Sequence, residues 1–244
     1  MAKTAILLGA SGLVGNEVLK QLLCEIDAAV AFRTKPSTME QGKPMESLSG
    51  NFEKIKIFVR KPIAFEHPKL EQIVIEFDAI DNYSDLIKGD VLFCCIGTTI
   101  KTAGSKDSFK KVDYTYPLDF AKIAKQNGIE KLLLISSIGA DNTSSNFYLK
   151  VKGEIEEALT KLNFKASIIL RPSMLLGDRK EFRFGEAAGK VVMKLFSFAF
   201  LGKLKKYKAI EASAVARAMI QLSKLKTTGN SIVQSHEIQL VGGN

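Results

Sequence analysis

The sequence predicts an α/β fold, a doubly wound parallel sheet with a small C-terminal extension beside it. Three observations carry that reading. Short, unbroken apolar runs alternate with segments of helical period, as expected for strands covered on both faces by helices. A glycine-rich turn follows the first apolar run directly. At 244 residues, the chain is long enough for one open sheet of this kind, against a prior of roughly 150 residues per domain.

The elements follow in order. Residues 3–8 read as a buried strand, and 15–24 as a helix with Val18, Leu19, Leu22 and Leu23 on one face. Strands are expected at 55–59, 73–77 and 91–96, then a helix at 116–126 and a strand at 132–135. A helix over 148–162 and a strand over 166–170 complete the regular alternation. Such alternation argues for right-handed crossovers and a parallel sheet. After Pro172 the rhythm weakens: 185–201 and 213–225 read as helices and 238–241 as a short final strand.

The expected organisation is a single domain, 1–244, with residues 27–54 as a loop excursion and about 180–235 capping the cleft. The excursion holds Pro36, Ser37, Gly42, Pro44, Ser47, Ser49 and Gly50 where a short connection is the norm. It is either a surface loop or a lid or dimer contact.

Composition narrows the function classes. The chain is 46% apolar and 25% charged, near the soluble globular average, which excludes disordered and collagen-like polymers. Cys24, Cys94 and Cys95 are too few and too oddly placed for a disulfide framework. The first apolar run is too short for a signal peptide, and no run of about 20 apolar residues suggests a membrane span. These features predict a reduced, cytoplasmic protein. Two histidines, His67 and His236, and no Cys-x-x-Cys leave little for a metal site, and none is expected. The net charge of +9 admits either a solvated surface serving an anionic cofactor or a polyanion partner. The lysines are scattered apart from the cluster at 203–208, so nucleic acid is not the expected partner.

The run Leu8-Gly9-Ala10-Ser11-Gly12-Leu13-Val14-Gly15 follows a predicted strand and opens a predicted helix. Glycine permits a tight turn and close approach of backbone to a pyrophosphate, which the helix N-terminus then receives. The fold is therefore expected to be a dinucleotide-binding Rossmann fold. The second strand ends Val59-Arg60-Lys61-Pro62, with no acidic residue to accept ribose hydroxyls. Two cations there suit a 2′-phosphate, so NADP(H) is favoured over NAD(H). Asp78, after the third strand, could reach the adenine edge or cap the next turn. Ile96, Gly97 and Thr98 close the fourth strand, where the cofactor would pass, and Cys94 and Cys95 read as packing residues.

The fifth strand ends in Ser136 and Ser137, and a helix begins near Tyr148-Leu-Lys-Val-Lys152. Tyr148 and Lys152 are i and i+4 and share a helix face. An ammonium beside a phenol favours the phenolate, so the tyrosine could exchange a proton with a carbonyl oxygen while a hydride moves. Ser137 or Ser136 would hold that oxygen.

With these runs together, the chain resembles an atypical member of the short-chain dehydrogenase/reductase superfamily, in the branch of the Tat-interacting-protein oxidoreductase and its bacterial relatives. Gly9-Ala-Ser-Gly12, Cys94-Cys-Ile-Gly-Thr-Thr99, Ser136-Ser137, Tyr148-Leu-Lys-Val-Lys-Gly-Glu154 and Leu170-Arg-Pro172 carry the likeness. The resemblance implies that Gly9, Ser11, Gly12, Leu13, Val14 and Gly15 wrap the pyrophosphate and that Arg60 and Lys61 hold the 2′-phosphate. It places Ile96 and Gly97 by the nicotinamide ribose, Tyr148 as proton donor or acceptor with Lys152 as its partner, and Leu170, Arg171 and Arg179 at the cofactor or the cleft edge. The 27–54 excursion is longer than in that branch.

The expected function is NADPH-dependent reduction of a small carbonyl compound, or oxidation of the alcohol. The alternative is an NADPH-binding regulatory or partner-binding protein with little turnover. Neither monomer nor homodimer is favoured.

Overall fold

The computed structural model describes residues 3–34, 52–177 and 208–243. Within them, seven parallel strands form one sheet in the order β3-β2-β1-β4-β5-β6-β9. These are β1 (Lys3–Leu8), β2 (Phe52–Val59), β3 (Leu70–Val74), β4 (Val91–Cys94), β5 (Lys131–Ile135), β6 (Ala166–Arg171) and β9 (Gly229–Gln234). A second ribbon pairs β7 (Leu175–Leu176) with β8 (Ile210–Glu211). The strand order turns around at β1, with β2 and β3 on one side and β4 onward on the other. That reversal opens a crevice at the carboxyl ends of β1 and β4, where such sheets take their ligands.

Each face of the sheet is covered by its own core. On one side, α1 (Leu13–Thr34) contributes Val18, Leu19 and Leu22, and α6 (Ala212–Lys224) contributes Val215, Met219 and Ile220. On the other, α4 (Tyr116–Gln126) contributes Phe120 and Ile123, and α5 (Phe147–Thr160) contributes Ile155 and Leu159. Alternate strand residues supply both cores, Ala5 and Leu7 to one and Ile6 and Leu8 to the other, which is why the strands read as unbroken apolar runs.

Four expectations need correction. The first helix does not stop near residue 24 but runs to Thr34, because Ala28, Ala29 and Ala31 favour helix. The 27–54 excursion thus begins as helix and ends as strand; its centre, 35–51, lies outside the described residues. The third strand is Leu70–Val74, not 73–77. Its polar Gln72 disguised it, yet that side chain bonds the Ile63 amide and the Ile63 and Phe65 carbonyls and pins the loop beside this edge strand. The final strand is not 238–241. It is Gly229–Gln234, whose first four residues are exposed at the sheet edge, and 238–241 lie in helix α7 (Ser235–Gly242). A reciprocal cap starts that helix: Glu237 accepts from the Gln234 amide while the Gln234 side chain accepts from the Glu237 backbone.

The helix expected at 185–201 lies outside the described residues. Of the stretch expected to cap the cleft, α6 packs on the sheet and against α1 and α7.

Candidate active site

The crevice is built first by glycine. Gly9 has φ of +89°, and a Cβ there would stand 2.6 Å from the Cys95 carbonyl carbon and the Ile96 nitrogen. Gly15 sits so that a Cβ would meet the Gly9 oxygen at 2.1 Å. The turn closes with the Gly12 amide donating to the Gly9 carbonyl at 2.9 Å. Side chains at either position would push α1 or the end of β4 away from the turn.

The resulting cleft holds about 590 Å³. Gly9, Ala10, Ser11 and Gly12 form its floor, Phe58, Val59 and Arg60 one end, and Ile96, Gly97, Thr98 and Thr99 the facing wall. Thr102, Ala103 and Ser108 continue that wall on α2 (Ile100–Ala103) and α3 (Lys106–Lys110). Thr99 and Ser105 start these two short helices by accepting from the Thr102 and Ser108 amides. Phe77 and Tyr116 also line the cleft and meet at a ring separation of 5.0 Å. Beside them, Asp78 accepts from Lys111 and from the Tyr116 hydroxyl, both at 2.9 Å. Those bonds, Lys111 first, hold its carboxyl below the usual range, whereas burial and then Asp78 push the Tyr116 hydroxyl up.

Arg60 and Lys61 are both exposed, but only Arg60 lines the cleft. Val14 and Leu170 are buried in the core. Leu13 packs on Gly177, where a Cβ would lie 2.7 Å from a Leu13 methyl carbon. Arg179 lies outside the described residues.

The catalytic candidates come from α5. Asn146 caps it by accepting from the Leu149 amide. Gly153 lets it approach the 139–147 loop closely, since a Cβ there would fall 2.1 Å from the Asn142 nitrogen. Tyr148 is half-buried, with its ring 5.7 Å from that of Phe109, and the Lys152 Nζ lies 6.0 Å from the Tyr148 ring centre. Ser137 is buried at the end of β5. Ser136 instead donates to Glu156, which also takes Arg171 in a forked pair. Of the two serines left open by the sequence, Ser136 is therefore committed to this network, as is Arg171.

Sequence reasoning missed Asp113. Its Oδ2 accepts from the Thr98 amide at 2.7 Å, and its Oδ1 lies 2.7 Å from the Lys152 Nζ, at an angle poor for a hydrogen bond. It sits in a π-turn, Lys111–Thr115, between α3 and α4. Pro117 follows four residues later and has no N–H to offer the Asp113 carbonyl, so the helix loosens there. In the sequence Asp113 stands one residue beyond Lys110-Lys111, after Val112, and passes for a surface acid. An acid four residues before a proline was the available signal. Cys94, at the foot of this wall, is a buried thiol pushed up to about 12, mainly by desolvation, in keeping with a packing role. No group of three His, Cys, Asp or Glu that could hold a metal occurs among the described residues.

Comparison with known proteins places this architecture. No protein-family model matches the sequence. Protein HTATIP2 of Rattus norvegicus is 37% identical over 188 residues, 75% of this chain and 67% of that protein. Protein FMP52-1, mitochondrial, of Scheffersomyces stipitis is 41% identical over 177 residues, covering 72% and 69%. Protein FMP52, mitochondrial, of Candida albicans is 31% identical over 99% of this chain and 95% of its own. The chain belongs to the HTATIP2/FMP52 family. That family lies in the NAD(P)-binding, atypical short-chain dehydrogenase/reductase group expected from the sequence. Among solved structures, MoeE5 in complex with UDP-glucuronic acid and NAD superposes with a TM-score of 0.63 at 14% identity, covering 94% of this chain and 75% of that one. The UDP-N-acetylglucosamine 4-epimerase from Methanobrevibacter ruminantium M1 gives 0.62 at 15%, covering 96% and 76%. At such identities the likeness establishes the fold. The expectation of a cytoplasmic protein is overturned by several FMP52 relatives that carry "mitochondrial" in their names. Among the described residues, no helix is long and apolar enough to cross a membrane.

Proposed function

We propose that the chain is an NADPH-dependent oxidoreductase acting on a small carbonyl or alcohol substrate. The observation that carries this reading is a continuous path of contacts from the cofactor cleft to the phenol: Thr98 in the cleft wall, Asp113 on its amide, Lys152 on Asp113, and Tyr148 one turn along α5. The cleft fits a dinucleotide, because the glycine turn leaves bare backbone where a Cβ would intrude and the N-terminus of α1 offers its amides to phosphate. Arg60 at the end of β2 would hold a 2′-phosphate, with Lys61 adding charge at the rim, and Phe77 and Tyr116 would wall the adenine. Ile96, Gly97 and Thr98 would border the nicotinamide ribose.

Bound there, the nicotinamide would supply or accept the hydride. Tyr148 gives a proton to the substrate oxygen in reduction and takes it back in oxidation. The Lys152 ammonium stabilises the charge that develops on the phenol oxygen as it does so. Ser137, free of the Glu156 network, holds the same oxygen by hydrogen bond. The family's mitochondrial names extend the proposal to a mitochondrial location, to be checked by fractionation and protease protection.

Calorimetric titration with NADPH and NADH tests the cofactor reading. Micromolar NADPH binding with much weaker NADH binding is expected; a preference for NADH would remove Arg60 from the 2′-phosphate. Carbonyl reduction by the wild type that collapses in Tyr148→Phe, with NADPH affinity kept, separates an enzyme from an NADPH-binding regulator.

A further inference from the structure

Lys152 is 5% exposed and its Asp113 partner 2%. An ammonium at such depth is disfavoured against the neutral amine by up to about 3–5 pKa units when nothing compensates. Burial by itself therefore favours the neutral amine. A neutral Lys152 would lose its use to Tyr148. We propose that Asp113 is a positioning residue: its buried carboxylate keeps Lys152 charged and in place beside Tyr148, and anchors it through the Thr98 amide to the wall of the cofactor cleft. This rests on the roles given above to Tyr148 and Lys152.

The surroundings assign that task to Asp113 rather than to its neighbours. Glu156, one turn further along α5, is occupied by Arg171 from β6 and by Ser136 from β5. Glu154 pairs with Lys110 of α3. On the π-turn, Lys111 is drawn to Asp78, and Tyr114 lies under the Lys110 ammonium. On α4, Asp119 and Lys122 pair with each other at the surface. From β4, Cys94 feels both members of the pair, Lys152 pulling its pKa down and Asp113 pushing it up, while burial keeps the thiol neutral. Asp113 is also held at its other oxygen, Oδ2, by the Thr98 amide, a bond that a carboxylate serving only as a counter-charge would not require.

The test reads the charge of Lys152 directly. Lysine labelled with carbon-13 at Cε is followed by NMR across pH in the wild type and in Asp113→Asn, with the Lys152 signal assigned by its loss in Lys152→Arg. The wild-type ammonium should persist to alkaline pH, and the midpoint in Asp113→Asn should fall clearly below it. An unchanged midpoint overturns the proposal. In parallel, the alkaline limb of the pH–rate profile for carbonyl reduction should move the same way, with NADPH affinity within about threefold of wild type. A uniformly lower rate with an unshifted limb would make Asp113 merely structural. If the wild type reduces no carbonyl at all, the enzymatic reading fails, and the NMR midpoint still decides the role of Asp113. Should Asp113→Asn not fold, Lys152→Gln is compared with Lys152→Gln/Asp113→Asn. The double variant should melt higher, because it removes the carboxylate left alone in the core. An equal or lower melting temperature counts against the pair.

Discussion

Helix α5 buries two ion pairs one turn apart, Lys152 with Asp113 of the π-turn and Glu156 with Arg171 of β6. The second is saturated. Arg171 grips Glu156 through Nε at 3.0 Å to Oε1 and Nη2 at 2.5 Å to Oε2, and the Ser136 hydroxyl donates to Oε1 as well. A planar guanidinium in a forked pair fixes geometry at both ends. The first pair is more loosely drawn, with one poorly aligned approach by a compact ammonium and one backbone amide. The network away from the cleft locks α5 to the sheet. The one beside the cleft keeps a charge close to the phenol without consuming it in a rigid fork.

The largest way to break that comparison is on the cleft side. Tyr148→Phe should lower carbonyl turnover by roughly 10²–10⁴-fold, the usual worth of general acid–base catalysis, with little change in melting temperature. Kinetics and calorimetry on one preparation check both halves. On the other side, Arg171→Met leaves Glu156 charged and unpaired in the core and should cost about 3–5 kcal/mol of stability. Urea unfolding would show the loss, and adding Glu156→Gln should recover part of it. The alkaline limb of the pH–rate profile should stay where it was.

Gly153, between the two pairs, sharpens the distinction. Gly153→Ala places a Cβ into the Asn142 backbone and should cost about 1–3 kcal/mol by overpacking. Because both pairs ride on α5, stability and turnover should fall together, as parallel melting and rate measurements would reveal. The smallest effect belongs to Asp78 and Lys111, an exposed pair at the cleft rim. The Asp78 carboxyl is held below its ordinary value. Its contribution is therefore present above the ordinary carboxylate range and fades as pH falls through the folded-state value. Asp78→Asn should melt slightly below wild type near neutrality, and the two should converge in acid or in high salt, where the surface charges are screened.

The regular parts of the fold were legible because the two-sided burial of β1, β4, β5 and β6 leaves nearly continuous apolar runs, and β2 keeps Ile55, Ile57, Phe58 and Val59 buried although Lys54 and Lys56 interrupt it. The strands misplaced in the sequence, β3 and β9, are the two sheet edges, where polar residues such as Gln72 and Asn230 are tolerated and the signal dissolves. The helix at 235–242 was mistaken for a strand because its short apolar segment fits either period, and the capping exchange between Gln234 and Glu237 settles it. At the site, the glycines and the Tyr148–Lys152 spacing were visible as local patterns. Asp113 was not, because its significance depends on Thr98, fifteen residues earlier, and on Lys152, far along the chain.

Local chemistry written in the sequence thus determined the parallel α/β architecture, the glycine turn and the helix face shared by Tyr148 and Lys152. These depend on neighbours within a turn or a strand, where spacing and residue type suffice. Only the tertiary structure decided which acid reaches the buried lysine, that Ser136 and Arg171 serve Glu156, and that Arg60 rather than Lys61 borders the cleft. Those outcomes turn on burial and on contacts between distant segments, and a charged side chain reads the same in sequence whether it faces water or a counter-charge in the core.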